Sequence, residues 1–122
     1  MSKILVIEDI PESADLTAQI LRRYGHQVWI AVTGDAGLAS AAEHGPDLII
    51  CDYWLPDLHG RAFLSRLRQI QTLKGVKVLL CSAAPKDMVT RTEHELRFDG
   101  FIPKPYRLST LMQAIDEQLA LP

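Results

Sequence analysis

The stretch Asp47 to Gly60, DLIICDYWLPDLHG, constrains this chain more than any other. Leu48, Ile49, Ile50 and Cys51 form an unbroken apolar run that opens after Gly45 and Pro46 and stops abruptly at Asp52. A run this short, rich in branched side chains and bounded by turn residues, fits a strand buried on both faces. Asp52 then stands at the strand's carboxyl end, where open α/β sheets gather their ligands. The loop beyond it is punctuated by Pro56 and Gly60. Taken alone, a carboxylate in that place is either the cap of a following turn or a working group.

The same design recurs along the chain. Lys3 to Ile7 is a second apolar run, closed by the adjacent acids Glu8 and Asp9. Pro11 and Glu12 suit the first turn of a helix, with Leu16, Ile20, Leu21 and Tyr24 at helical spacing and Gly25 as its stop. A strand is expected over Val28 to Val32. Thr33 or Asp35 then caps a second helix with Leu38, Ala41 and Ala42 inward and His44 and Gly45 at its end. After Asp52 comes a helix from Gly60 with Phe63, Leu64 and Leu67 inward and Arg61, Arg66 and Arg68 outward. Val76 to Cys81 reads as the fourth strand, stopped by Ser82.

The pattern weakens over Pro85 to Arg97, where only Met88, Val89 and Leu96 are strongly apolar, so a fourth helix there is expected to be the least firmly held element. Phe101 and Ile102 make a short fifth strand closed by Pro103, Lys104 and Pro105. Leu108, Leu111, Met112, Ile115 and Leu119 form the inner stripe of a last helix. Strands alternating with helices in this way give parallel strands joined by right-handed crossovers. The expected fold is an α/β, three-layer α/β/α sandwich filling one domain over residues 1–122.

Composition narrows the function. The 122 residues are 48% hydrophobic and 23% charged, which is globular. A net charge of −2 offers no reason to expect direct nucleic-acid or anionic-membrane binding. No apolar stretch approaches the roughly 20 residues of a membrane span, and MSKILVIED lacks the apolar core of a secretory leader. The expected location is therefore cytoplasmic, and Cys51 and Cys81 are expected to be buried, inert thiols. His26, His44, His59 and His94 show no ligand spacing and read as surface or loop residues.

In a parallel sheet every carboxyl end lies on one edge, so Glu8, Asp9, Asp52, Ser82 and Lys104 should converge on one rim. Three carboxylates in one pocket repel, and a cation relieves them. An all-oxygen set favours Mg²⁺ over zinc or copper and leaves positions for water and a phosphate oxygen. A lysine and a hydroxyl beside it would bind the other oxygens of a phosphoryl group.

ILVIED, DLIICDYWLPDLHG, VLLCSAA and GFIPKP, in this order at strand ends, resemble the receiver domain of bacterial two-component response regulators over essentially the whole chain. The resemblance implies a five-stranded parallel sheet of order 2-1-3-4-5, the flavodoxin-like receiver type, in which ligands bind at the carboxyl ends of the strands. It implies that Asp52 is the phosphoacceptor, taking a phosphoryl group from a histidine kinase or a histidine phosphotransfer protein. Glu8, Asp9, Asp52 and the backbone carbonyl of Trp54 would bind Mg²⁺. Lys104 and Ser82 would hold phosphoryl oxygens, Phe101 would be the switch aromatic, and the peptide before Pro105 would be cis. Such a module is a switch rather than an enzyme, although it promotes its own phosphorylation and dephosphorylation.

Output is expected through the face made by the fourth helix, fifth strand and last helix, toward an unknown downstream protein. With no effector domain read after Leu121 and Pro122, the signal is expected to leave by protein contact, or the chain is expected to be a piece of a longer regulator or hybrid kinase. Phe98 beside Arg97 is bulky for the approach to the fifth strand, and Trp54 is large for a residue at the site entrance. Its ring is expected to hinder water in line with an acyl phosphate. A metal-dependent aspartyl-nucleophile phosphatase is the rival reading, but such enzymes resemble one another in carrying a nucleophile aspartate and a second aspartate two residues later at the end of the first strand, where this chain has the adjacent Glu8 and Asp9 and no such pair. A nucleotide or flavin binder would need a glycine-rich phosphate loop that is not present.

Overall fold

The structure, a computed structural model, describes residues 2–73, 75–83 and 98–120. Its strands are β1 (Lys3–Ile7), β2 (Gln27–Ala31), β3 (Leu48–Asp52), β4 (Lys77–Ser82) and β5 (Gly100–Pro103). Its helices are α1 (Pro11–Arg23), α2 (Gly34–His44), α3 (Gly60–Gln69) and α4 (Leu108–Ala120), with a short 3-10 turn at Gln71–Leu73. The expected helix from Pro85 to Arg97 lies outside the described residues. The strands form one sheet in the order β2-β1-β3-β4-β5, every pair parallel, as the resemblance implies.

Strand residues alternate between two helical layers. Leu5, Ile7, Ile49, Cys51, Val78 and Leu80 pack with Ala41, Phe63, Leu64 and Leu67 of α2 and α3. Ile4, Val6, Leu48, Ile50, Leu79, Cys81 and Ile102 pack with Ala14, Ala18 and Leu21 of α1 and Leu111, Met112 and Ile115 of α4. Both sheet faces are thus dry, which is why the strands read as continuous apolar runs. Cys51 and Cys81 are free and buried on opposite faces. Burial pushes both thiols up, Cys81 to about 12, so neither forms a thiolate readily.

Helix ends follow local chemistry. Pro11 opens α1, Arg22 and Arg23 occupy its last turn, and Gly25 at φ +89 turns the chain away. Thr33 caps α2 by accepting the Ala36 N–H at 3.1 Å, and Gly45 at φ +59 closes it. The expected inner face of α1 needs correction. Ala14, Ala18 and Leu21 are buried, Ile20 is half-buried, and Leu16 and Tyr24 are exposed. The Ile and Leu side chains of β1 and β3 already fill the interlayer space, so the helix presents alanines to them and turns Leu16 outward.

Three further expectations shift. Ala42 of α2 and Leu108 of α4 are exposed, so Ala41 with half-buried Leu38, and Leu111, Met112 and Ile115 with half-buried Leu119, make the contacts. Arg68 does not point outward. Its guanidinium donates to the Val76 carbonyl at 2.7 Å and the Leu73 carbonyl at 3.4 Å, satisfying acceptors that the turn before β4 would otherwise bury. No helix among the described residues is long and apolar enough to cross a membrane.

At the start of α2, a Cβ added to Gly34 would lie 2.6 Å from the Leu58 Cβ. That contact involves an atom fixed to the backbone, so no rotamer change relieves it. Gly34→Ala is expected to lower unfolding free energy by about 1–3 kcal/mol, read as a reduced urea midpoint at unchanged slope.

Candidate functional site

β1 and β3 are neighbours in the sheet, with Ile7 paired to Cys51, so the residues that follow them emerge side by side. Glu8 and Asp9 leave β1, and Asp52 ends β3. Their carboxylates each bring an oxygen within 4.8 Å of the others, the one such acidic group among the described residues. β4 pairs with both β3 and β5, so Ser82 and Lys104 arrive on the same edge. The Lys104 N–H donates to the Ser82 carbonyl at 2.7 Å, which anchors the backbone at the turn out of β5. The peptide between Lys104 and Pro105 is cis, as expected.

The Lys104 ammonium spans two acids from different strands. Nζ donates to Glu8 Oε2 at 3.0 Å and to Asp52 Oδ2 at 3.2 Å. Side-chain exposure is 9% for Glu8, 12% for Asp52 and 25% for Lys104, so these are poorly screened charges. Burial alone would push the lysine down, but the Glu8 hydrogen bond and the charges of Asp52 and Glu8 outweigh it and hold the ammonium above its ordinary range. Burial is likewise the main influence on Glu8 and raises its carboxyl above the usual value, against the opposing pull of Lys104.

One buried side-chain polar atom among the described residues lacks a hydrogen-bond partner, and it is Glu8 Oε1. A desolvated carboxylate oxygen without a donor is costly. Beside two more carboxylates, it fits a hard cation or a water bound to one. The donor set, oxygen throughout, suits Mg²⁺ and not a thiophilic metal. The Trp54 N–H donates to Asp52 Oδ1 at 3.3 Å, placing that backbone next to the cluster.

Ser82 is fully buried at the end of β4, one residue beyond the partner of Asp52. Phe101 is half-buried against the core shared with α2 and α3. Trp54 is 44% exposed, with its ring edge-on to Tyr53 and His59 at centroid distances of 4.8 and 5.1 Å. Of the histidines expected at the surface, His44 is only partly exposed and stacks on Trp29 at 4.3 Å, and His26 Nδ1 accepts the Ser2 N–H. His94 lies outside the described residues.

A further acid shapes the site from outside. Asp57, in the loop after Asp52, accepts the Gly34 N–H at 2.8 Å and the Asp35 N–H at 3.0 Å. Those two backbone donors hold its carboxyl below the usual range. An aspartate beside a loop proline carries no sequence signal of its own, so this contact between distant segments was not anticipated.

A doubly wound parallel sheet with acids and a lysine gathered at its carboxyl edge defines an α/β domain with its site at the strand ends. The sequence profile of the response regulator receiver domain matches residues 4–116, and the chain belongs to that family. It is 30% identical to the DNA-binding dual master transcriptional regulator RpaA of Synechocystis, over 94% of this chain and 48% of that protein. The protein PilH of Pseudomonas aeruginosa is 25% identical, over 98% of this chain and 99% of its own length. Among solved structures, a CheY-like response regulator receiver domain protein from Methanospirillum hungatei has a TM-score of 0.89 at 28% identity, covering 98% of this chain and 94% of that one. The chain spans about half the length of the first curated relatives it matches, 48% and 49% of them.

Removing the lysine tests the electrostatics. In Lys104→Met, Glu8 and Asp52 face each other with no counter-charge, and the Glu8 carboxyl moves still higher than its already raised value. A carboxyl raised in the folded state contributes stability at low pH and loses it as pH rises through the folded value. The variant is therefore expected to be less stable than the parent by about 1–3 kcal/mol near pH 7, discounted from a fully buried pair because the lysine is partly exposed. The deficit should shrink near pH 4–5, in metal-free urea titrations at each pH.

Proposed function

We propose that this receiver domain is a phosphorylation-dependent switch that accepts a phosphoryl group on Asp52 from a histidine kinase or a histidine phosphotransfer protein. The observation that carries the reading is the Lys104 ammonium 3.2 Å from Asp52 Oδ2, beside two further carboxylates within 4.8 Å. Glu8, Asp9, Asp52 and the Trp54 backbone carbonyl would hold Mg²⁺, which, when bound, neutralises charge on the phosphoryl oxygens. Phosphoryl transfer asks for alignment and charge stabilisation more than for proton chemistry.

An Asp52 carboxylate oxygen attacks phosphorus, the bond from phosphorus to the donor's imidazole nitrogen breaks, and that nitrogen keeps the electron pair and takes a proton. The product is an acyl phosphate on Asp52. Lys104 exchanges the Asp52 oxygen for a phosphoryl oxygen without changing its own charge. Ser82, at the end of the adjoining strand, donates its hydroxyl to another. Phe101 lies on the neighbouring strand and responds to that movement, shifting a pre-existing two-state equilibrium.

The module works in the cytoplasm and passes its signal to a downstream protein, through the face that includes β5 and α4. Residues 1–122 act as one receiver unit, standing alone or within a longer regulator or hybrid kinase. Chemical turnover of small phosphate esters is not part of this reading, and steady release of phosphate from such esters would favour the phosphatase alternative.

With Mg²⁺ and acetyl phosphate, intact mass should show one added phosphoryl group. Asp52→Asn should show none, and omission of Mg²⁺ should suppress the gain. Parent protein that stays unmodified with metal, acetyl phosphate and a phosphorylated histidine donor would contradict the reading. The exposed Trp54 ring beside Asp52 supports a second expectation. Trp54→Ala should open the in-line path for water and speed acyl-phosphate hydrolysis roughly fivefold, equivalent to about 1 kcal/mol of barrier, followed as loss of the added mass after donor removal.

A further inference from the structure

The loop that follows Asp52 is held at two places. Its neck is closed by the Gly60 N–H donating to the Tyr53 carbonyl at 2.8 Å. Its tip is held by Asp57, whose Oδ1 takes the Gly34 N–H at 2.8 Å and whose Oδ2 takes the Asp35 N–H at 3.0 Å. Those amides open α2 and have no acceptor within the helix. Thr33 already serves the Ala36 N–H, so Asp57 fills places that the local cap leaves open. Using both carboxylate oxygens fixes the direction of the grip as well as its distance.

Neighbouring contacts favour the same placement. Leu58 packs so closely on Gly34 that no Cβ fits between them. Arg66 of α3 pairs with Asp35 of α2 at 3.1 Å, tying together the two helices that flank the loop. Trp54 stands between neck and tip, with its N–H on Asp52 Oδ1. A side-chain ligand can be re-aimed by a rotamer change, whereas a backbone carbonyl goes only where its loop goes.

We propose that Asp57 is a positioning residue for the acidic site: its grip on the start of α2 holds the loop so that the Trp54 carbonyl completes the Mg²⁺ ligand set with Glu8, Asp9 and Asp52. This rests on the Mg²⁺ reading given above. Without the grip the loop is held at its neck, samples other placements, and binds metal only in the fraction that remains competent. Asp57 touches neither metal nor phosphoryl group and acts through the backbone alone.

The test compares the parent chain with Asp57→Ala, Asp57→Asn and Thr33→Ala. Thr33→Ala removes a cap from the same helix without touching the loop. Mg²⁺ titrations are followed by tryptophan fluorescence, urea unfolding is measured for each variant, and amide hydrogen exchange is measured at Leu55 and Leu58 without metal. Asp57→Ala is expected to bind Mg²⁺ roughly tenfold more weakly, at the low end for groups that orient metal ligands, and to exchange faster at Leu55 and Leu58. Asp57→Asn, which keeps one acceptor oxygen, should lie between. Thr33→Ala should lose stability yet keep the parent affinity.

Parent-like Mg²⁺ affinity in Asp57→Ala would overturn this inference and leave the Mg²⁺ reading standing. Equal weakening in Thr33→Ala and Asp57→Ala would also overturn it, because stability alone would then explain the loss. A parent chain that takes up no Mg²⁺ would overturn both.

Discussion

One ammonium group between two carboxylates from different strands makes the working edge of this molecule tolerable. A parallel sheet necessarily brings its strand ends together, and here three of those ends carry acid or lysine. At an effective dielectric near 20, two like charges about 4 Å apart repel by roughly 4 kcal/mol, a large part of the stability of a domain this size. Lys104 lowers that repulsion by facing Glu8 and Asp52 at once, 3.0 and 3.2 Å away. It does not cancel it. Asp9 remains, and Glu8 Oε1 has no donor, so the edge stays short of positive charge.

The rest of the structure can be understood as what holds that edge rigid. Apolar strand interiors on both faces fix β1, β3 and β4 against each other, with Ile4, Leu48, Ile49 and Val78 fully buried. A one-residue slip of any strand would carry its terminal side chain away from the group and turn its core residues to the wrong layer. Backbone ties then set the exits: the Tyr53 N–H donates to the Cys81 carbonyl at 2.8 Å, and the Lys104 N–H to the Ser82 carbonyl at 2.7 Å. These bonds place Asp52, Ser82 and Lys104 by main-chain geometry, so little side-chain freedom has to be lost when a ligand arrives. Lys104 stays partly exposed beside this frame, and in the loop after Asp52 Trp54 is exposed while Tyr53, Leu55 and Leu58 are buried.

Strand ends were legible in the sequence because a buried parallel strand needs an unbroken apolar run, and the first polar residue after such a run marks the edge. That logic located Glu8, Asp9, Asp52 and Ser82 without reference to any relative. Helix faces were less legible. In α1 the interlayer space is taken by large strand residues, so Ala14 and Ala18 make the contacts while Leu16, the more hydrophobic residue, faces outward. Arg68 reads as a surface residue from its charge, yet its guanidinium reaches the Leu73 and Val76 carbonyls of the turn before β4, a contact outside its own helix. Asp57 was invisible for the same reason, since its partners Gly34 and Asp35 are more than twenty positions away. Local pattern reports which way a residue faces only when its neighbours are in its own element.

The proposed switch depends on a divalent ion settling among Glu8, Asp9 and Asp52. Replacing Mg²⁺ with paramagnetic Mn²⁺ and recording backbone amide spectra during the titration addresses this most directly, because broadening falls off steeply with distance from the ion. The proposed site requires the amides of Glu8, Asp9, Tyr53, Trp54 and Lys104 to vanish first, at low metal, with Mg²⁺ restoring them in competition. Broadening spread evenly over exposed acids such as Asp35, Glu43 and Asp116, with the strand-end amides no more sensitive than these, would contradict it.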